Sequence, residues 1–116
     1  MKVLLDHNVP VQLKPLLEGH STSTAREMQW DRLANGDLLA AAEAAAFDVL
    51  ITGDQNIAYQ HDNSRRIISL VVISQTRRKL VLAHNEAITE AITRARPGSY
   101  ERVPIPTRRR GIRAVE

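Results

Sequence analysis

Short continuous apolar runs alternate along this chain with stretches of helical spacing. Val3-Leu4-Leu5 is a compact apolar run that leads into a carboxylate, Asp6, and it predicts a buried strand. Asn8 suits a helix cap and Pro10 is tolerated in a first turn, so Val9, Leu13, Leu16 and Leu17 predict a helix as far as Glu18, with Gly19 as its stop. His20 to Thr24, rich in hydroxyl and β-branched residues, predicts a second strand. Arg26 to Leu33 reads as a loop with a helical turn, and Asn35-Gly36 as a turn. Asp37 then opens an Ala-rich helix through Ala46. Asp48-Val49-Leu50-Ile51-Thr52 is the clearest strand and again runs toward a carboxylate, Asp54. A short helix is predicted over Asn56 to His61, and Ile67 to Ile73 is a fourth apolar run. From about Lys79 the stripe Leu80, Ala87, Ile88, Ala91, Ile92 and Ala95 predicts one long helix, ended by Pro97-Gly98. Tyr100 to Ile105 reads as an edge strand, because Pro104 has no ladder donor.

Strands alternating with helices predict an α/β fold with a mainly parallel sheet of four to five strands and helices on both faces. Crossovers in such sheets are right-handed, so the carboxyl ends of the strands share one edge, where ligands bind. The chain has 116 residues, the size of one domain. Residues 1–105 are assigned to that domain, and 106–116 to a basic, disordered tail.

Composition narrows the picture. Apolar residues make up 43% of the chain but only four are aromatic, so Ala, Leu, Val and Ile must fill the core. Cysteine is absent, which removes disulfides and thiolate metal sites and fits a reducing, cytoplasmic location. The first apolar run is too short for a signal peptide and no later run could span a bilayer, so no membrane role is expected. Charge is unevenly distributed. Met1 to Asn63 holds four Lys/Arg against nine Asp/Glu, whereas Ser64 to Glu116 holds twelve against four. An acidic half beside a basic half suits a metal-dependent enzyme acting on a polyanion, and it equally suits a solvated basic surface. Arg65, Arg66, Arg108, Arg109 and Arg110 are the candidate phosphate contacts; their ordinary reading is a solvated surface and tail.

Asp6 follows the first strand, Asp54 the third, and Asp37 opens the helix after the second. Topology therefore predicts that all three reach the same sheet edge, where clustered carboxylates would repel without a cation. Mg2+ or Mn2+ takes such oxygen ligands, and two ions about 4 Å apart assist phosphodiester cleavage. Each acid also has a plain explanation: Asp37 as a first-turn helix acid, Asp6 and Asp54 as turn formers. Asn8 is a helix cap or a site residue, Thr52 a β-former or a hydroxyl that orients a carboxylate, and Glu43 a solvated helix residue. His7, His20, His61 and His84 lack zinc spacing, and no G-x-S-x-G, Walker or G-x-G-x-x-G motif is present. A phosphoacceptor receiver domain also places acids after its first and third strands, with Ser74 as the hydroxyl after the fourth. It needs a lysine after the fifth strand, yet the last lysine is Lys79, and the acidic pair beside Asp6 is missing.

At these residues a resemblance emerges. Val-Leu-Leu-Asp-His-Asn at the start, Asn-Gly-Asp-Leu-Leu-Ala-Ala-Ala around Asp37 and Val-Leu-Ile-Thr-Gly-Asp-Gln-Asn around Asp54 together resemble small PIN-like domains, relatives of the toxin ribonucleases of bacterial toxin–antitoxin pairs. The match spans roughly residues 1–73. It implies a PIN-like three-layer sandwich and a Mg2+- or Mn2+-dependent endoribonuclease that hydrolyses RNA through a metal-bound water. RNA and a cognate antitoxin are the implied partners, and a homodimer is compatible with the reading. Asp6, Asp37 and Asp54 match the family's catalytic, metal-binding acids, while Asn8, Thr52 and Asn56 fall at supporting positions. Asn56 is the departure, since many relatives carry a further acid there. The alternative is a PIN-like module of little or no activity that binds nucleic acid or a protein.

Overall fold

The computed structural model of the chain describes residues 1–57 and 67–107. Five parallel strands form one sheet: β1 (Lys2–Leu5), β2 (Ser21–Thr24), β3 (Val49–Thr52), β4 (Ser69–Ile73) and β5 (Tyr100–Val103), in the order β2-β1-β3-β4-β5. The fold is thus α/β, with an all-parallel central sheet flanked by helices. Its apolar strands are buried on both faces, as such sheets require. Val3, Leu5, Val49, Ile51, Val71 and Ile73 face one cluster, which also takes in Val9, Leu13, Leu17, Val81, Ile88 and Ile92. Leu4, Leu50, Leu70 and Val72 face the other, covered by Leu38, Leu39 and Ala42 of helix α1 (Asn35–Ala44). The strand period of two sorts neighbouring residues to opposite faces, which gives three layers.

Several elements depart from the sequence reading. Val11–Leu16 is a 3₁₀ segment rather than an α-helix, with Pro15 inside it and no side-chain cap. Pro15 has no N–H to donate, and the tighter spiral still buries Leu13. Asn35 and Gly36 are the first residues of α1, not a turn before it. The predicted long helix is two: α2 (Arg78–Ala83) and α3 (Asn85–Arg94), broken at His84 (φ −111°, ψ 25°). There the Asn85 side chain donates to Leu82 O at 2.8 Å, and His84 Nδ1 lies 2.8 Å from Leu80 O, giving the last carbonyls of α2 side-chain partners. Glu43, read as a solvated residue, accepts from Ile67 N (2.7 Å) and Ile68 N (3.2 Å) and anchors the start of β4. β5 is an edge strand as expected, and beyond it Ile105 N donates to Ser74 Oγ at 2.7 Å. The helix predicted over Asn56 to His61 lies almost wholly outside the described residues, as do residues 108–116 of the tail.

The helical segments also revise the expected handedness. The 3₁₀ segment and helices α2 and α3 cover the same face of the sheet, while α1 covers the other. From β1 the chain moves toward one edge across the first face, and from β4 it moves toward the opposite edge across that same face. Two such crossovers have opposite hands. β1→β2 and β2→β3 share one, and β4→β5 has the other, so the general rule of right-handed crossovers does not hold throughout this sheet. All five carboxyl ends still share one edge, because every pairing is parallel. Among the described residues, no helix is long and apolar enough to cross a membrane.

Candidate metal and nucleic-acid site

The strand order reverses direction between β1 and β3, and in doubly wound sheets the ligand crevice opens at that point, beyond the carboxyl ends. Asp6 and Asp54 sit there. Asp6 is only 3% exposed, and a buried carboxylate needs partners. Its Oδ2 accepts from the Thr52 hydroxyl at 2.7 Å. Its Oδ1 accepts from His7 N at 2.8 Å, with His7 Nδ1 3.0 Å away. The same Thr52 oxygen accepts from Asp54 N at 3.1 Å, so a single hydroxyl joins the loops after β1 and β3. Thr52 is therefore the hydroxyl that orients a carboxylate, beyond its role as a β-former.

Asp54 has its own frame. Oδ1 accepts from Asn56 N at 2.9 Å, and Oδ2 accepts from the side-chain amide of Asn35 in the first turn of α1. Asn8 is no helix cap, since its Oδ1 accepts from Gly53 N at 3.1 Å and pins the Asp54 loop to the β1 loop. Asn56 contributes through its backbone. Asp37 is exposed on the first turn of α1, where an acid suits the helix dipole. Among the described residues, no three His, Cys, Asp or Glu side chains gather in a group able to hold a metal ion. The structure thus joins Asp6, Asp54, Thr52 and Asn8 into one network without drawing Asp37 into it. Arg65, Arg66, Arg108, Arg109 and Arg110 lie outside the described residues.

Sequence reasoning missed Asn35, Gly53 and Gln55. The Gln55 amide donates to Gly53 O (2.9 Å) and to Ile73 O (2.7 Å), bridging the ends of β3 and β4. A Cβ added at Gly53 would fall far inside contact distance of Thr76 Cγ2, so the β4 loop lies directly on the Asp54 loop. A glycine between a strand and an acid was the available signal for such a close approach.

The groups at this edge are the Asp6 and Asp54 carboxylates, the amides of Asn8 and Asn35, and the His7 imidazole 3.0 Å from Asp6 Oδ1, with the two carboxylates as the hard oxygen donors. Mg2+ is commonly held by one or two carboxylates, with waters and substrate phosphates completing its shell, so these residues fit a hard cation. Ser74, the hydroxyl required by a receiver-type switch, donates to Ile105 O (3.1 Å) and accepts from Ile105 N. His7, not an acid, follows Asp6. No protein-family model, curated protein or solved structure matches the chain. The fold is α/β, with Asp6 and Asp54 joined by hydrogen bonds beyond the carboxyl ends of β1 and β3, where the strand order reverses.

Proposed function

We propose that the chain is a PIN-like, metal-dependent endoribonuclease, with Asp6 and Asp54 as the carboxylates that hold Mg2+ or Mn2+. The observation that carries this reading is the Asp6–Thr52–Asp54 chain of hydrogen bonds at the carboxyl edge. Thr52 orients the Asp6 carboxylate and accepts from the Asp54 backbone N–H. Asn35 and Asn56 N hold the Asp54 carboxylate, and Asn8 fixes the Asp54 loop. A bound cation would supply charge neutralisation for the scissile phosphate and a more acidic water. RNA as substrate, and an antitoxin as the partner of a toxin component, follow from the resemblance of the three motifs. Asp37 is the third acid of that resemblance.

Incubating the purified protein with RNA in Mn2+, then in EDTA, tests the proposal. Cleavage is expected only with the metal, and Asp6→Asn should abolish it. A variant lacking the Asp6 carboxylate that still cuts would remove the mechanism. The effect of Asp37→Asn then decides whether two carboxylates suffice.

One observation favours a second reading, a binding module without catalysis. Each carboxylate oxygen of Asp6 and Asp54 already accepts a hydrogen bond. That reading expects RNA affinity that falls steeply with salt and no metal-dependent cleavage.

A further inference from the structure

The carboxyl edge carries its charge unevenly. On the β2 side, residues 25–34 hold Arg26 and Arg32 against Glu27 and Asp31, and so carry no net charge. On the β4–β5 side, Arg77, Arg78 and Lys79 follow one another without an acid, and all three are exposed. Arg102 on β5 is exposed as well, and its Nε donates to Gln55 Oε1 at 3.3 Å. Among the described residues no acid pairs with any of these four cations, whereas Lys14 and Arg94 are paired with Glu27 and Glu101.

Two of the four lie next to the Asp54 loop. Thr76 is packed against Gly53, so Arg77 begins one residue away, about 3.8 Å along the chain. Arg102 pairs in register with Val72, and Val72 with Thr52. It therefore shares a row with Thr52 two strands away, a separation of roughly 10 Å from strand spacing. Its guanidinium leans back onto Gln55, the neighbour of Asp54.

We infer that Arg77 and Arg102, extended by Arg78 and Lys79, form a one-sided track for the phosphodiester backbone of a nucleic-acid strand, which runs from Asp54 toward β5. The inference rests on the reading of this edge as a nucleic-acid site and names the side from which the strand is held. Guanidinium groups are suited to it, since a planar fork meets phosphate oxygens in pairs. The neutral β2 side offers no such attraction.

The test is binding of fluorescent single-stranded RNA and DNA oligonucleotides of one length to the full chain in EDTA, across a salt series. Comparison proteins are Arg77→Gln/Arg102→Gln and, on the β2 side, Arg26→Gln/Arg32→Gln, each checked for native circular dichroism. The track variant should bind at least about tenfold more weakly, with a salt slope shallower by about 1.4, at roughly 0.7 per lost cation on a single strand. The β2-side variant should match the parent, and the two oligonucleotides show whether the track distinguishes sugars. Equal slopes for parent and track variant, or no binding by the parent, overturn the inference. Cleavage in Mn2+ is scored separately. Binding through the track without cleavage removes the nuclease and leaves the track, whereas unaltered cleavage and binding by the track variant remove the track alone.

Discussion

The Thr52 hydroxyl donates to Asp6 Oδ2 at 2.7 Å, across a sequence separation of 46 residues. This bond ties the first strand's terminal acid to the third strand, and the same oxygen receives the backbone N–H of Asp54. Thr52→Val keeps the shape and removes both interactions. Asp6 Oδ2 at a buried position and Asp54 N at a partly buried one would each lose a partner, a cost of about 1–3 kcal/mol. Chemical denaturation should show that loss, Mn2+ binding should weaken, and Thr52→Ser should restore most of both. Full stability in the valine variant would show that the hydroxyl is dispensable.

Gly53, in the loop after β3, has no room for a Cβ beside Thr76 of the loop after β4. Gly53→Ala should destabilise the fold by roughly 1–3 kcal/mol, as overpacking does. The clash is with Thr76 Cγ2 alone among nearby atoms, so Thr76→Ser in the same chain should recover much of the loss. A double-mutant cycle measures the coupling, and additive effects would place the strain elsewhere.

His20 makes stability sensitive to mild acid. Burial, and then the charged amino terminus 3.2 Å from its Nδ1, hold the imidazole below its ordinary value of 6.5. The unfolded chain therefore takes up the proton first, and stability is complete above pH 6.5 and declines as pH falls toward the folded-state value. Urea midpoints measured from pH 7.5 to 5 should drop in this window, and His20→Gln should flatten that part of the profile. An equal drop in the variant would assign the effect to other groups.

Glu43 holds the backbone where β4 begins. Glu43→Ala should release Ile67 N and Ile68 N and cost about 1–2 kcal/mol, within the range for hydrogen bonds to a charged acceptor at a partly exposed site. Amide exchange at Ile68 and Ser69 should accelerate more than at Val49. Uniform exchange along both strands would contradict a local anchor.

Glu27 closes a capping box with Thr24. Thr24 Oγ1 accepts from Glu27 N at 3.0 Å while Glu27 Oε1 accepts from Thr24 N at 2.8 Å, the reciprocal pattern of a capping box. The Lys14 side chain, then the Thr24 N–H, hold the Glu27 carboxyl below its usual range. The spacing Thr-x-x-Glu is visible in the sequence, but no apolar helical stripe follows it, and the chain instead turns through Gln29 at a positive φ of 63°.

Local pattern determined much of this protein without any coordinates. Val3-Leu4-Leu5, Val49 to Thr52 and Ser69 to Ile73 are strands because apolar and β-branched runs of that length must be buried on both sides. The placement of Asp6 and Asp54 at one edge followed from strand order and parallel direction alone. Tertiary structure decided what periodicity cannot express. Leu80 to Ala95 keeps helical spacing through a break, because a stripe records which face is apolar and not whether the backbone continues beneath it. Asn8 could have capped a helix, but its amide oxygen was claimed by Gly53 N, from the loop after β3, 45 residues away. Asp37 shares a helix turn with Asn35, yet Asn35 is the residue that reaches Asp54, because successive side chains on a helix point in different directions and only packing selects among them.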